Sequence, residues 1–95
     1  MDIHHSKEKE LFFKAVLSLK TVEECDKFFE DICTIKEMQD LAQRMNVAVL
    51  LSEGRVYNDI VKLTGASSAT ICRVNRCLKY GTGGYNEILE RIKDE

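Results

Sequence analysis

The apolar residues of this chain recur at the spacing of α-helices from one end to the other, and this periodicity constrains the fold most. Leu11, Ala15 and Leu19 form one such stripe near the start, each four residues after the last, as on one face of a helix. Similar stripes follow over residues 22–32, 38–51, 57–63, 71–78 and 85–92. The chain contains no proline, the residue that most disrupts a helix interior, and it shows no strand-like alternation. The pattern predicts an all-α fold of about six helices.

Two capping signatures mark helix starts. Thr21 precedes Glu24 by three residues, and Thr34 stands in the same relation to Glu37, which is the spacing of a capping box. The helix that begins after Thr34 is expected to end at Gly54. Its apolar residues occupy more than one face, which predicts a central helix that is packed on several sides. It is either the core helix of a monomer or part of a dimer interface, and we favour the dimer because so short a chain has few helices to cover it.

Positive charge is concentrated in one segment of an otherwise acidic chain. The net charge is −2, and residues 1–53 carry seven basic and eleven acidic side chains. Residues 54–80, by contrast, carry five basic side chains and one acidic side chain. This local excess is typical of an element that faces DNA. A solvated surface with an uneven charge distribution is the alternative.

The basic segment has the pattern of a helix-turn-helix. A short helix over residues 57–63 is followed by a turn at Thr64-Gly65-Ala66, where the glycine can adopt a positive φ, and by Ser67 as the N-cap of a second helix over about 67–79. The second helix begins with small polar side chains that can approach base edges in the major groove. The candidate DNA-contacting residues on these grounds are Lys62, Ser67, Ser68, Thr70, Arg73, Arg76 and Lys79. Helical hairpins that never contact DNA share this geometry, so that alternative stays open.

The four cysteines do not match a metal site. Cys25 and Cys33 are eight residues apart, and Cys72 and Cys77 are five apart, whereas zinc modules use closely paired cysteines. Each cysteine lies at or beside an apolar helical position, where a free thiol packs as a small hydrophobic group. We therefore expect free, packed cysteines and no structural metal.

Other functional classes find little support. His4 and His5 lie near the start of the chain without nearby cysteines to complete a metal site. No nucleophile–base pairing and no phosphate-binding glycine loop is recognisable, so we expect no enzymatic activity and no cofactor. The sequence shows no secretory signal and no apolar run of membrane-spanning length, which predicts a cytoplasmic protein without a membrane partner.

One run resembles the DNA-binding motif of the tryptophan repressor superfamily, namely Gly65–Arg73, continued by Cys77-Leu78-Lys79. Upstream segments match the same family in step with this run, and they are Thr34–Glu37, Leu41-Ala42-Gln43-Arg44 and Gly54. The similarity is greatest to the YerC/YecD-type branch of Trp-repressor-like proteins, in which Leu-Ala-Gln-Arg and Gly-Ala-Ser-x-Ala-Thr-Ile-x-Arg-Val runs recur. The resemblance implies an intertwined, all-helical homodimer whose two recognition helices enter successive major grooves, the docking described for the Trp repressor itself.

The resemblance also implies roles for individual segments and residues. Residues 1–53 would supply the dimerisation helices, residues 54–80 the helix-turn-helix, and residues 81–95 a C-terminal helix. Base contacts would come from Ser68, Ala69 and Cys72, with Lys62 and Thr70 near the DNA backbone. The predicted function is that of a sequence-specific transcriptional regulator, specifically a repressor. A helical protein-interaction module that keeps the fold without specific DNA binding is the alternative.

An effector site is the last feature that the resemblance suggests. Four residues match the ligand-contacting positions of the family: Thr34, Arg44, Thr70 and Arg73. However, Val74 stands where the repressor has a glycine beside the indole ring, and Cys77 replaces a serine that helps to hold the ligand. A branched side chain would fill the indole space and a thiol is a weaker hydrogen-bond partner. The sequence therefore predicts DNA binding that does not depend on tryptophan, with either a different small-molecule effector or none.

Overall fold

A computed structural model of the chain describes residues 6–93. These residues form six α-helices and no β-strand, which confirms the predicted all-α fold. The helices are α1 (Lys7–Leu17), α2 (Val22–Ile32), α3 (Ile35–Ser52), α4 (Tyr57–Thr64), α5 (Ser68–Tyr80) and α6 (Gly84–Ile92). The chain divides after Met38 into two compact units, which we call the N-terminal and C-terminal units. Helix α3 contributes residues to both.

Side-chain caps start α2 and α3 where the sequence predicted them. The hydroxyl oxygen of Thr21 accepts a hydrogen bond from the Glu24 amide at 3.0 Å, and the Glu24 carboxylate accepts from the Lys20 amide at 3.1 Å. At α3 the box is fully reciprocal. Thr34 Oγ1 accepts from the Glu37 amide at 3.1 Å, and Glu37 Oε1 accepts from the Thr34 amide at 2.8 Å. These bonds satisfy amides that the first turn of a helix leaves unpaired.

The N-terminal unit holds its helices together through aromatic rings but buries none of its described residues. Phe12 stacks on Phe28 with ring centroids 6.1 Å apart, and Phe29 meets Phe28 edge-on at 5.4 Å. Large apolar side chains nevertheless face solvent, with Leu17 83% exposed and Ile35 80% exposed. An apolar surface of this kind typically belongs to an interface.

The C-terminal unit contains the hydrophobic core. The buried side chains among its described residues come from α3, α4, α5 and the turn between the last two, and they are Val47, Ala48, Ile60, Ala66, Ile71 and Val74. Helix α6 adds Tyr85 and Leu89 at the edge of this core. The side-chain amide of Asn86 also donates a 3.0 Å hydrogen bond to the carbonyl of Leu78, near the end of α5. Helix α5 is thus packed against both α4 and α6.

The cysteines are free, as predicted, but the expectation that they pack as small hydrophobic groups is wrong for three of them. Cys25, Cys72 and Cys77 are exposed, and only Cys33 is half-buried. Cys72 and Cys77 lie beside the apolar stripe of α5, so helix rotation turns them toward solvent. Cys25 lies within the stripe of α2, and that stripe is itself exposed, with Val22 81% and Ile32 51% exposed.

The predictions about metal binding and membrane helices can be compared with the described residues only. His4 and His5 lie outside the described residues. Within residues 6–93, no group of three or more His, Cys, Asp or Glu side chains could hold a metal ion. The same part of the chain has no helix that combines the length and apolar character needed to cross a bilayer.

Candidate nucleic-acid interface

Helices α4 and α5 are joined by a tight turn over residues 65–67. Gly65 adopts a left-handed φ of 72°, and its amide donates to the Val61 carbonyl at 2.8 Å. Ser67 is the N-cap of α5, because its hydroxyl oxygen accepts from the Thr70 amide at 3.1 Å. The same hydroxyl donates to Thr70 Oγ1 at 3.1 Å. The predicted helical pair is therefore present, although Thr64 is the last residue of α4 and not part of the turn.

The conformation of Gly65 gives a direct stability test of this turn. A Cβ at Gly65 would meet no atom within 4 Å, so the cost of Gly65→Ala comes only from its φ of +72°. Left-handed backbone costs a residue with a side chain about 1–2 kcal/mol. We expect Gly65→Ala to lower the free energy of unfolding by this amount in urea titrations. The matched change Gly84→Ala, in the first turn of α6 without a positive φ, should be neutral or slightly stabilising. An equal loss in both variants would contradict the prediction.

The two sides of α5 differ sharply in burial. Ile71 and Val74 are fully buried in the core, whereas Ala69, Cys72 and Arg76 on the opposite side are exposed. Since a helix turns by about 100° per residue, these three side chains share one outer face. This face is what α5 could present to a groove.

The predicted DNA-contacting residues lie on α4, at the N-cap of α5 and along α5, and all but one are exposed. Lys62 is exposed near the end of α4, and Ser67 is exposed at the N-cap of α5. Thr70 alone is half-buried, and its hydroxyl oxygen already accepts from Ser67. The others are exposed on α5, namely Ser68, Ala69, Cys72, Arg73, Arg76 and Lys79.

Four cations of this surface have no acidic partner in the described part of the chain. Two ion pairs there are local to α1 and to the end of α6, with Lys14 paired to Glu10 at 3.6 Å and Lys93 to Glu90 at 2.8 Å. Over residues 6–93, no ion pair engages the four cations, which are Lys62, Arg73, Arg76 and Lys79. An unpaired guanidinium on an exposed helix can bind a phosphate oxygen without first giving up another partner.

A cavity of 270 Å³ lies where α3 passes the start of α5. Arg44 of α3 lines it together with three residues of α5, namely Ala69, Thr70 and Arg73. The structure thus brings together Arg44, Thr70 and Arg73 of the predicted effector residues. Neither Val74, which is 1% exposed and belongs to the core, nor the exposed Cys77 lines this cavity. The remaining one, Thr34, lies in the N-terminal unit, where it caps α3.

Tyr85 is a polar group near this region that the sequence reasoning treated only as part of an apolar stripe. Burial raises the pKa of its phenol above the ordinary value of 10.0, and a Coulombic interaction with Cys77 raises it further. The positive charge of Arg44 acts in the opposite direction. The phenol is therefore neutral at physiological pH and lies within electrostatic range of groups from both α3 and α5. Helical spacing could not reveal this, because it reports only which face a residue occupies.

The chain is similar to a known protein family and to individual proteins. A family model described as Trp repressor protein matches residues 7–93. The uncharacterized protein YerC of Bacillus subtilis strain 168 is 51% identical over 94 residues, which cover 99% of this chain and 90% of YerC.

Two crystal structures are also similar. One is of a TrpR-like protein from Eubacterium eligens ATCC 27750, with 51% identity, a TM-score of 0.90, and coverage of 93% of this chain and 91% of that one. The other is of a candidate Trp repressor from Staphylococcus aureus, with 41% identity, a TM-score of 0.92, and coverage of 100% and 97%.

Proposed function

The chain belongs to the Trp repressor family, and from that premise we propose that it is a homodimeric transcriptional regulator that binds specific DNA sequences. In this proposal residues 54–80 form the helix-turn-helix, and the helix over about 67–79 reads bases in the major groove. The protein acts as a repressor and does not require tryptophan. Family membership favours such a regulator over an enzyme.

The outer face of α5 carries the proposal. Ile71 and Val74 anchor one side of the helix in the core, so the opposite side stays exposed at a fixed rotation. That side presents Arg76 and the small side chains of Ala69 and Cys72. Small side chains let the backbone approach base edges closely, while arginines contact phosphates and guanine edges.

Dimerisation is supported by the N-terminal unit. None of its described residues is buried, although its helices carry large apolar side chains. Removal of this surface from water would be favourable at roughly 25 cal/mol per Å². A second copy of the chain is the proposed occupant, with residues 1–53 as the dimerisation helices and residues 81–95 as a C-terminal helix.

Independence from tryptophan is supported by Val74. Its side chain is already part of the core that holds α5, so the helix has an anchor where the repressor's glycine would leave room for an indole ring. Cys77 is exposed, and its thiol offers only a weak hydrogen-bond partner. In this proposal α5 keeps one pose with or without an amino-acid ligand.

Selection of bound sequences from a random duplex library, with and without L-tryptophan, tests the function. We expect enrichment of a palindrome whose half-sites lie about one helical turn, roughly 34–36 Å, apart, because a two-fold symmetric dimer presents two recognition helices. The same sequences should be enriched in both conditions. Enrichment that requires tryptophan would contradict the effector proposal. Absence of any enriched sequence would contradict DNA reading and favour the protein-interaction module.

A further inference from the structure

One side-chain hydrogen bond ties the turn before α5 to α3. The amide Nε2 of Gln43 donates to the backbone carbonyl of Thr64 at 3.2 Å, across 21 residues of sequence. Thr64 is the last residue of α4, and the last carbonyls of a helix have no amide partner within that helix. Gln43 therefore satisfies a group that the end of α4 leaves open.

The side chain of Thr64 extends this connection toward α5. Its hydroxyl donates to the Ile60 carbonyl at 2.7 Å, and the hydroxyl oxygen accepts from the Ala66 amide at 3.0 Å. Ala66 is 2% exposed and belongs to the core, directly before the N-cap of α5. Movement at Thr64 would therefore shift the residue from which α5 starts.

The neighbours of Gln43 on α3 also lie close to α5 and to the core. The next residue, Arg44, lines the cavity at the start of α5, and Val47 one turn later is fully buried in the core. Helix α3 thus supports the turn through Gln43 and the core through Val47. The Gln43 bond joins two elements that are distant in sequence, whereas the Thr64 bonds are local to the turn.

We propose that Gln43 is a positioning residue, which holds the start of α5 in the pose that reads base edges. This inference rests on the proposed function. Direct readout of bases requires side chains to be placed within about 0.5 Å and 10–20°. Phosphate contacts by long cationic side chains tolerate larger displacements and carry no sequence information. Loss of the Gln43 bond should therefore reduce discrimination between sequences more than it reduces overall affinity for DNA.

The test compares Gln43→Glu with Gln39→Glu in the full-length chain. Glutamate has the length of glutamine but cannot donate a hydrogen bond to a carbonyl when ionised. Gln39 is exposed on the same helix, so its substitution adds the same negative charge to α3. Gln43→Met removes the donor without adding charge, and Gln39→Met is its control. This second pair replaces the first if Gln43→Glu fails to fold.

The first measurement is the ratio of Kd values for a non-specific duplex and for a duplex selected by the wild-type protein. One hydrogen bond corresponds to about fivefold to tenfold, and the proposed homodimer loses two of them, so the expected loss in this ratio is about 25-fold to 100-fold. We expect that loss for Gln43→Glu and Gln43→Met, with the ratio for the Gln39 variants within about twofold of wild type. Equal ratios in the Gln43 and Gln39 variants would overturn the proposal.

The second measurement needs no DNA and separates this inference from the proposed function. Amide hydrogen exchange at Ala66 should accelerate by about fivefold to tenfold in the Gln43 variants, and it should stay unchanged in the Gln39 variants. If wild-type protein discriminates no DNA sequence, the proposed function fails. Exchange at Ala66 then decides the positioning role by itself, and unchanged exchange in the Gln43 variants would overturn it.

Discussion

Replacement of Arg73 and Arg76 with glutamine should weaken binding to duplex DNA by about 100-fold at roughly 0.15 M salt, the largest functional effect that we expect. Both side chains are exposed on α5, and neither has an acidic partner among the residues that the structure describes. A homodimer would lose four cations from its DNA-facing surface. Without each of these cations, binding no longer gains the favourable release of the counterions that condense on a DNA phosphate.

The salt dependence of binding makes this prediction quantitative. The slope of log K against log salt concentration should become shallower by about 0.9 for each phosphate that the variant no longer neutralises, or by about 3 to 4 for the dimer. Fluorescence anisotropy with a labelled duplex at several salt concentrations would measure both the affinity and the slope.

A matched double variant controls for the change in net charge. Arg91 and Lys93 are exposed at the end of α6 and outside the proposed DNA-facing surface. Arg91→Gln combined with Lys93→Gln removes the same charge, so it should affect affinity only through the long-range field, by less than about tenfold. If both double variants weaken binding equally, α5 is not the DNA-facing element.

Truncation of Ile71 should produce the largest loss of stability. Its side chain is 0% exposed in the core of the C-terminal unit, and deletion of a buried isoleucine side chain to alanine costs about 2–5 kcal/mol. The loss combines the transfer of buried methyl groups with the cavity that remains. Because Ile71 lies on α5, the helix that carries the proposed reading face should loosen as well.

Urea unfolding followed by circular dichroism would measure this loss. Protein concentration must be equal for all variants, because the stability of the proposed dimer would depend on it. Ile88→Ala on α6 is the control, since Ile88 is 41% exposed. Ile88→Ala should lower the free energy of unfolding by less than about half as much as Ile71→Ala, because the Ile88 side chain buries a smaller area. Comparable losses would mean that the packing of α5 contributes no special stability.

Much of the helical framework could be predicted because its signals are local. The capping pair Thr34 and Glu37 acts within one helical turn, and the structure shows both of the hydrogen bonds that their spacing predicted. Gly65 has the left-handed backbone that a tight turn requires. The burial of Ile71 and Val74 on one side of α5 also follows from helical geometry alone.

The sequence was a weaker guide to those features that depend on packing between helices. The sequence placed the cysteines at or beside apolar stripes, but it could not resolve which side of a stripe boundary faces the core, and Cys72 and Cys77 are exposed. Likewise Tyr85 matched an apolar stripe, although its phenol lies near groups of α3 and α5. The spacing of apolar residues along the chain does not reveal which helices pack against each other.

The sequence by itself determined the helices, the turn at Gly65, the basic character of residues 54–80 and the caps at Thr21, Thr34 and Ser67. Each of these depends on neighbours within a few positions of the chain, where covalent geometry sets the distances. Tertiary structure alone decided that Arg44 shares a cavity with Arg73, and that the Gln43 amide reaches the Thr64 carbonyl. These contacts join residues more than 20 positions apart, and they form only when burial of the core side chains brings α3 against the turn and α5.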